Sequence, residues 1–254
     1  MPSFPQGYTA LVQGASRGIG LEIVQQLLAD EDCAKVIATA RQVDGEGLTA
    51  LSQQAGERLL RIPMDISDDE AIEAAAAKVE SAVDRLHLLF NVSGLLHDQD
   101  GLKPEKRLAE LDRAALHKSF AVNAFGPMLV SQRFLPLLNH SELAVLANMS
   151  ARVGSIEDNR LGGWYSYRAS KAAQNQFTRT LAVEAARSAK RLIVLALHPG
   201  TSDTDLSRPF QASVPRDKLF SRERTARQLL EIIQGAGPED SGRFIAWDGK
   251  DIPW

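Results

Sequence analysis

A doubly wound α/β fold, with one parallel sheet covered by helices on both faces, is predicted by three features of this 254-residue sequence. Short, almost continuous apolar runs recur along it (YTALVQ, KVIATA, LHLLFN, LAVLANM, LIVLALH), as strands buried on both faces require. Between them lie segments of helical length whose apolar residues repeat every three or four positions. No linker, composition break or internal repeat interrupts the alternation, so residues 1–254 read as one domain.

Taken in order, the first apolar run turns through GASRGIG into a helix with Ile19, Ile23, Leu27 and Leu28 on one side, ending near Asp30. A strand from 35 to about 40, a short helix at 45–55 and the strand RLLRIPMDIS follow. Residues 68–83 form an alanine-rich helix whose acidic start suits its N-terminal dipole. The fourth strand covers 86–91, a polar loop covers 95–111, and a helix runs from 112 to about 138, where Gly126 and Pro127 should bend it. A fifth strand begins at 143, a loop spans 151–163, and a long helix extends from 164 to about 189. The sixth strand is LIVLALHPG, residues 201–219 are irregular, 222–234 are helical, and RFIAWDG is a last short strand.

Composition narrows the function. Hydrophobic residues at 44%, charged residues at 24% and a net charge of −3 describe an ordinary soluble domain, and the absence of a basic run argues against nucleic acid. One cysteine, Cys33, excludes an intrachain disulfide, and the N-terminus shows no signal-peptide pattern, so the expected compartment is the cytoplasm. No apolar run approaches the roughly 18 residues of a membrane span. The spacing of His87, His97, His117 and His140 offers no metal site.

Chemistry concentrates in two places. Gly14, Gly18 and Gly20 sit where the first strand meets the first helix, which lets the backbone approach a pyrophosphate at a helix N-terminus. The spacing is G-x-x-x-G-x-G, and a tight turn without ligand would look the same. After the second strand stands Arg41 rather than an acidic residue, and Arg17 lies inside the glycine turn. Two guanidiniums suit a 2′-phosphate through forked hydrogen bonds, although each could be a surface charge. The second place is WYSYRASK. Tyr167 and Lys171 are four apart on a helix and share a face, so the cation can tune the phenol as an acid/base, whereas Tyr165 is out of register and reads as pocket wall or packing. An unrelated solvated pair would have the same spacing.

Together these motifs resemble the short-chain dehydrogenase/reductase family over essentially the full length, and within it the branch of C-factor and the sniffer-like carbonyl reductases, whose tail EDSGRFIAWDGKDIPW is similar. The resemblance implies a Rossmann fold of about seven strands in the order 3-2-1-4-5-6-7. It places Asn123, Ser150, Tyr167 and Lys171 on the family's catalytic tetrad, with Ser150 donating to the substrate oxygen and Asn123 in a local helix bend, joined to Lys171 through water. For the cofactor it implies the turn with Ser16 and Ile19, then Asp65 and Ile66 at the adenine, Asn91, Val92, Ser93 and Gly94 at the fourth strand's end, and Pro199, Gly200, Ser202 and Thr204 over the nicotinamide. Tyr167 and Lys171 also contact it.

The expected activity is NADP(H)-dependent reduction of an aldehyde, ketone or quinone, with NAD(H) possible and residues 201–220 as the substrate loop. The competing expectations are a NAD-dependent alcohol dehydrogenase and a nucleotide-binding signalling protein with little turnover. The family also implies a homodimer or homotetramer. Three departures stand out: Gln13 replaces a threonine whose bond to the fourth-strand segment an amide could supply, Val92 and Ser93 replace Asn and Ala, and the interval from Ser150 to Tyr167 is long, so its loop must bulge. His198 precedes the cofactor loop and reads as strand-end packing.

Overall fold

The computed structural model describes residues 4–254. Strand β1 (Tyr8–Gln13) pairs in parallel with β2 (Cys33–Ala40) on one side and β4 (Leu88–Asn91) on the other. Beyond β2 lies β3 (Leu59–Pro63), and beyond β4 come β5 (Ala144–Met149), β6 (Leu192–His198) and β9 (Phe244–Ala246). The resulting order β3-β2-β1-β4-β5-β6-β9 is the expected one, its last strand ninth along the chain because two short strands intervene. Those two, β7 (Thr201–Ser202) and β8 (Leu219–Phe220), pair with each other and pin both ends of the irregular segment.

Helices cover both faces because successive strand side chains point to opposite sides. Ala10 and Val12 of β1 join α1 (Gly18–Ala29) and α7 (Arg222–Gly235) through Ile23, Leu27, Leu229 and Ile233. Leu11 faces the other way, in a core shared by α3 (Asp69–Glu80), α5 (Gly126–Leu138) and α6 (Tyr165–Ser188) through Ile72, Val130, Phe134 and Leu181. The short α2 (Glu46–Ala55) adds Leu48 to the first core. No helix among the described residues is long and apolar enough to cross a membrane.

One expectation changes. The helix read over 112–138 is interrupted by a π-helical turn, Ala121–Phe125, between α4 (Arg113–Phe120) and α5. The irregularity begins before Gly126 and Pro127 and ends on them: the Gly126 N–H bonds the Ala121 carbonyl five residues back, and Pro127, next in the same helical run, brings no N–H to the ladder. Connections reverse direction between β1 and β4, and the crevice at the carboxyl ends of those strands is where an open α/β sheet takes its ligand.

Candidate active site

The glycine turn leaves β1 at that crevice. Gly14 has φ 87°, and a Cβ there would stand 2.6 Å from Ser93 Oγ and 2.7 Å from Ser93 N, so the backbones of the β1 and β4 ends touch. A Cβ on Gly20 would overlap the Gly14 carbonyl oxygen. Gln13 takes over the bond expected of threonine: its Nε2 donates to Ser93 Oγ at 2.7 Å and its Oε1 accepts from Ser93 N at 3.3 Å. Two departures, Gln13 and Ser93, thus form one reciprocal pair. Helix α1 starts with neither a side-chain cap on Arg17 nor an acidic residue in its first turn, which leaves Gly18, Ile19 and Gly20 amides for an anion.

The two arginines differ in their partners. Arg17 Nη1 pairs with Asp205 Oδ2 at 2.9 Å, linking the glycine turn to the 201–219 segment. Arg41 is exposed and forms no ion pair among the described residues. Burial raises the Asp65 carboxyl, but bonds from the Ser67 hydroxyl and N–H, with the Arg41 cation, outweigh this and hold it below its ordinary value. Arg41 and Asp65 therefore lie together at the end of β2 and β3. Ile66 is buried against Gly126, behind them.

Around the fourth strand's end the predicted residues divide. Asn91 is spent inward, its Nδ2 donating to Asn148 Oδ1 at 2.8 Å, Ser131 Oγ at 3.1 Å and the Pro127 carbonyl at 3.2 Å, so its side chain faces α5 and not the crevice. Val92 N bonds the Gln13 carbonyl at 2.9 Å. Gly94 sits at the centre, since a Cβ there would lie 3.7 Å from Leu206, 3.8 Å from Asn123 Oδ1 and 4.0 Å from Lys171 Nζ. Asn123 is held by Leu95, accepting its N–H at 2.7 Å and donating to its carbonyl at 2.8 Å, and it donates to Ser170 Oγ at 3.1 Å.

Helix α6 carries the two residues expected to react. Tyr167 is 8% exposed, and burial pushes its phenol above the ordinary value, which favours the protonated form. Lys171 is 2% exposed, and burial pushes it down to about 7. Its Nζ donates to the Met149 carbonyl at 2.6 Å and Gln174 Oε1 at 3.0 Å. The expected lowering of the tyrosine by the lysine is absent from this structure: the ammonium is turned toward strand β5, and desolvation governs both groups. Ser150, just past β5, donates from Oγ to Asn175 Oδ1 at 2.6 Å. Tyr165 is exposed, off the face of Tyr167, as its register requires.

Gln174 and Asn175 escaped the sequence reading, yet a signal existed. Tyr167, Ser170, Lys171, Gln174, Asn175 and Thr178 are all buried on one face of α6, where a helix of this fold would ordinarily carry apolar residues. That polar stripe at helical spacing marks the site.

The segment after β6 closes the crevice. A Cβ on Gly18 would lie 3.6 Å from Thr204 Cγ2, so Thr204 rests on the glycine turn, and His97 Nε2 meets the Asp205 and Leu206 carbonyls, each at 3.2 Å. Ser202 is turned away, its hydroxyl paired with Thr225 of α7 at 2.7 Å. Pro199 is partly exposed, and Gly200 takes φ 73° with Phe220 and Trp247 against it. His198 accepts the Arg152 N–H at 3.3 Å on Nδ1, and burial pushes it down to about 4, as befits a packing residue. Its unfolded value near 6.5 lies above the folded one, so the unfolded chain takes the proton first as pH falls. Stability from this group is present above pH 6.5 and lost toward pH 4; urea midpoints of His198→Gln should fall less over that window than the parent's.

Folding also gathers His87, His140 and Glu142, which spacing did not foresee as a cluster. It lies at the amino ends of β4 and β5, away from the crevice, and its nitrogens are occupied: His87 Nδ1 accepts Thr9 N–H at 3.1 Å, His87 Nε2 donates to Glu142 at 2.7 Å, His140 Nδ1 accepts Glu142 N–H at 3.3 Å and His140 Nε2 donates to the Leu86 carbonyl at 2.8 Å. Burial outweighs the Glu142 bond and keeps His87 below its ordinary value.

Comparison with known proteins places this architecture. The short chain dehydrogenase family model matches residues 8–214, and the chain belongs to that family, a class of oxidoreductases. It is 32% identical to the 1-hydroxy-2-glutathionyl-2-methyl-3-butene dehydrogenase of Rhodococcus sp. (strain AD45), over 97% of this chain and 99% of that protein. It is 35% identical to the C-signal of Myxococcus xanthus, over 58% of this chain and 83% of that protein. Among solved structures, the NADPH-bound carbonyl reductase from chicken fatty liver superposes with a TM-score of 0.86 at 30% identity, covering 99% of this chain and 96% of that one.

Proposed function

We propose that this protein is an NADPH-dependent carbonyl reductase in which Tyr167 is the proton donor. The observation that carries the reading is the placing of buried Lys171, one helical turn from buried Tyr167, with its Nζ on the carbonyl of Met149 beside Ser150 and 4.0 Å from a Cβ built on Gly94, which also lies against Leu206 of the closing segment. The turn amides would hold the dinucleotide's pyrophosphate, Arg41 its 2′-phosphate and Thr204 the nicotinamide end. Bound there, NADPH supplies the hydride. Tyr167, kept protonated by burial, delivers its proton to the carbonyl oxygen as charge develops. The Ser150 hydroxyl, rotating about its Cβ–Oγ bond away from Asn175, donates to the same oxygen. In its protonated form Lys171 would support the resulting tyrosinate by its positive charge.

NADPH consumption against a panel of aldehydes, ketones and quinones tests the reading. Tight NADPH binding with no turnover across the panel would replace it with a signalling role of the kind the name C-signal denotes. Arg41→Ala should weaken NADPH by about 10-fold or more while NADH changes by less than about twofold, since only the former carries the phosphate that a guanidinium binds. Calorimetric titration with both nucleotides decides it, and equal loss for both refutes the role.

The same reading takes the protein to be a cytoplasmic homodimer or homotetramer assembled through α5 and α6, where Leu129, Phe177 and Val183 are exposed, with Phe125 in the turn before α5. Val183→Arg should then reduce the mass measured by light scattering to that of one chain, and an unchanged mass would move the interface elsewhere.

A further inference from the structure

Helix α6 has no cap of its own. Trp164 at its N-cap has left-handed angles, φ 53° and ψ 43°, offers no side-chain bond, and is followed by no acidic residue in the first turn. It is the only described residue other than glycine with positive φ. A bulky side chain in that region is strained and persists only where the surroundings hold it. Gly162 and Gly163, at φ 64° and 65°, precede it, so the chain enters the helix through three left-handed residues in succession.

What holds this entrance comes from the loop after β4. Glu105 is 4% exposed and reaches the helix with main chain and side chain at once. Its carbonyl accepts the Trp164 N–H, its Oε2 accepts the Ser166 N–H at 3.1 Å, and its Oε1 accepts the Ser166 hydroxyl. Ser166 is 2% exposed, so the pair is sealed from water. From the helix side Arg168 completes the clamp, its Nε donating to the Gly163 carbonyl at 2.9 Å and its Nη2 to the Gly162 carbonyl at 3.1 Å. A buried carboxylate is costly unless its oxygens are bonded; here they are, at a helix N-terminus whose dipole favours negative charge.

The clamp also sets a wall of the crevice. The Trp164 indole stands 6.2 Å from the Tyr167 ring and 4.9 Å from Phe210 of the 201–219 segment, between centroids. His97, from the same loop as Glu105, also meets Phe210, at 6.0 Å between centroids. Loop, helix entrance and closing segment therefore meet around one indole.

We propose that Glu105 is the positioning residue of this active site, capping the catalytic helix from the β4 loop so as to fix the height of Tyr167, and that the Trp164 indole it orients determines substrate specificity. The proposal rests on Tyr167 being the proton donor. Glu105 itself touches neither the reacting atoms nor the predicted cofactor residues.

The test compares Glu105→Ala, Glu105→Gln and Trp164→Gly in the full chain. Amide exchange of residues 164–168 needs no substrate: Glu105→Ala should speed it by about 10- to 100-fold, the scale of a lost charge-assisted bond, and Glu105→Gln by less, since an amide still accepts one bond. NADPH affinity should stay within about twofold, while kcat falls about 10-fold or more in Glu105→Ala and largely recovers in Glu105→Gln. Trp164→Gly relieves the left-handed strain, so its melting temperature should hold or rise, while the ratio of kcat/KM between a bulky planar ketone and a small aldehyde shifts about 10-fold.

Unchanged exchange in Glu105→Ala overturns the cap. Faster exchange with kcat unmoved overturns the positioning role, and an unshifted substrate ratio in Trp164→Gly overturns the specificity role. A parent protein that reduces nothing in the carbonyl panel defeats the reductase reading alone, and the exchange result still decides the cap. If Glu105→Ala does not fold, Ser166→Ala, which removes one bond of the same clamp, carries the comparison.

Discussion

Tyr167→Phe should lower kcat for carbonyl reduction by about 1,000-fold, within the range of one general acid, while NADPH affinity and melting temperature stay where they are. The separation follows from the site. Among the described residues the phenol oxygen makes no hydrogen bond, so its removal leaves no buried partner unsatisfied. The ring keeps its place beside Trp164, and only the transferable proton is lost. Stopped-flow NADPH oxidation and thermal melting measure the two halves. A variant that turns over as fast as the parent would remove Tyr167 from the chemistry; a variant that melts several degrees lower would show the hydroxyl to be structural.

Gly20→Ala is expected to cost about 3 kcal/mol of stability and at least about 10-fold in NADPH affinity, because overpacking against main chain forces the turn to move. The Cβ would overlap the Gly14 carbonyl oxygen and come within 2.9 Å of the Gly14 carbonyl carbon and 3.2 Å of Ala15 Cα. These are backbone atoms of the loop that would cradle the pyrophosphate, and no side chain can swing aside to relieve the contact. Gly45→Ala is the control: at Gly45, φ is −63° and nothing lies within 4 Å of a built Cβ, so stability should change by less than about 0.5 kcal/mol. Urea unfolding and nucleotide titration compare the two. Equal losses would show that the crowding at Gly20 is not what sets its cost.

Parts of this site were legible as residue types at fixed spacing. The glycine turn, the Tyr167 and Lys171 pair and the strand-end Ser150 are local patterns, and helix or strand geometry converts their spacing directly into a shared face. The buried polar stripe from Ser170 through Thr178 is equally local, but polar residues at helical spacing look the same on a solvated face, and only the packing of α6 against the sheet buries them. Arg17 is a different case. Its sequence neighbours say nothing of Asp205, which lies far along the chain and takes the guanidinium only once the closing segment folds back over the turn.

By itself, the sequence determined the alternation of strands and helices, and with it the parallel sheet, because burial on two faces demands continuous apolar strands and crossover helices. It also determined which residues share the face of α6 that carries Tyr167 and Lys171, since the 3.6-residue repeat is a property of the backbone. Tertiary structure alone decided the partners: Gln13 with Ser93, Asn91 turned into α5, Lys171 turned to Met149 and Gln174, and Glu105 capping a helix 61 positions away from it in the chain. These pairings are contacts between segments distant in sequence, and no local periodicity encodes them. They arise when the packed sheet brings loop ends together, where most buried polar groups find a partner, Asn91 Oδ1, Gln174 Nε2 and Asn175 Nδ2 being left without one.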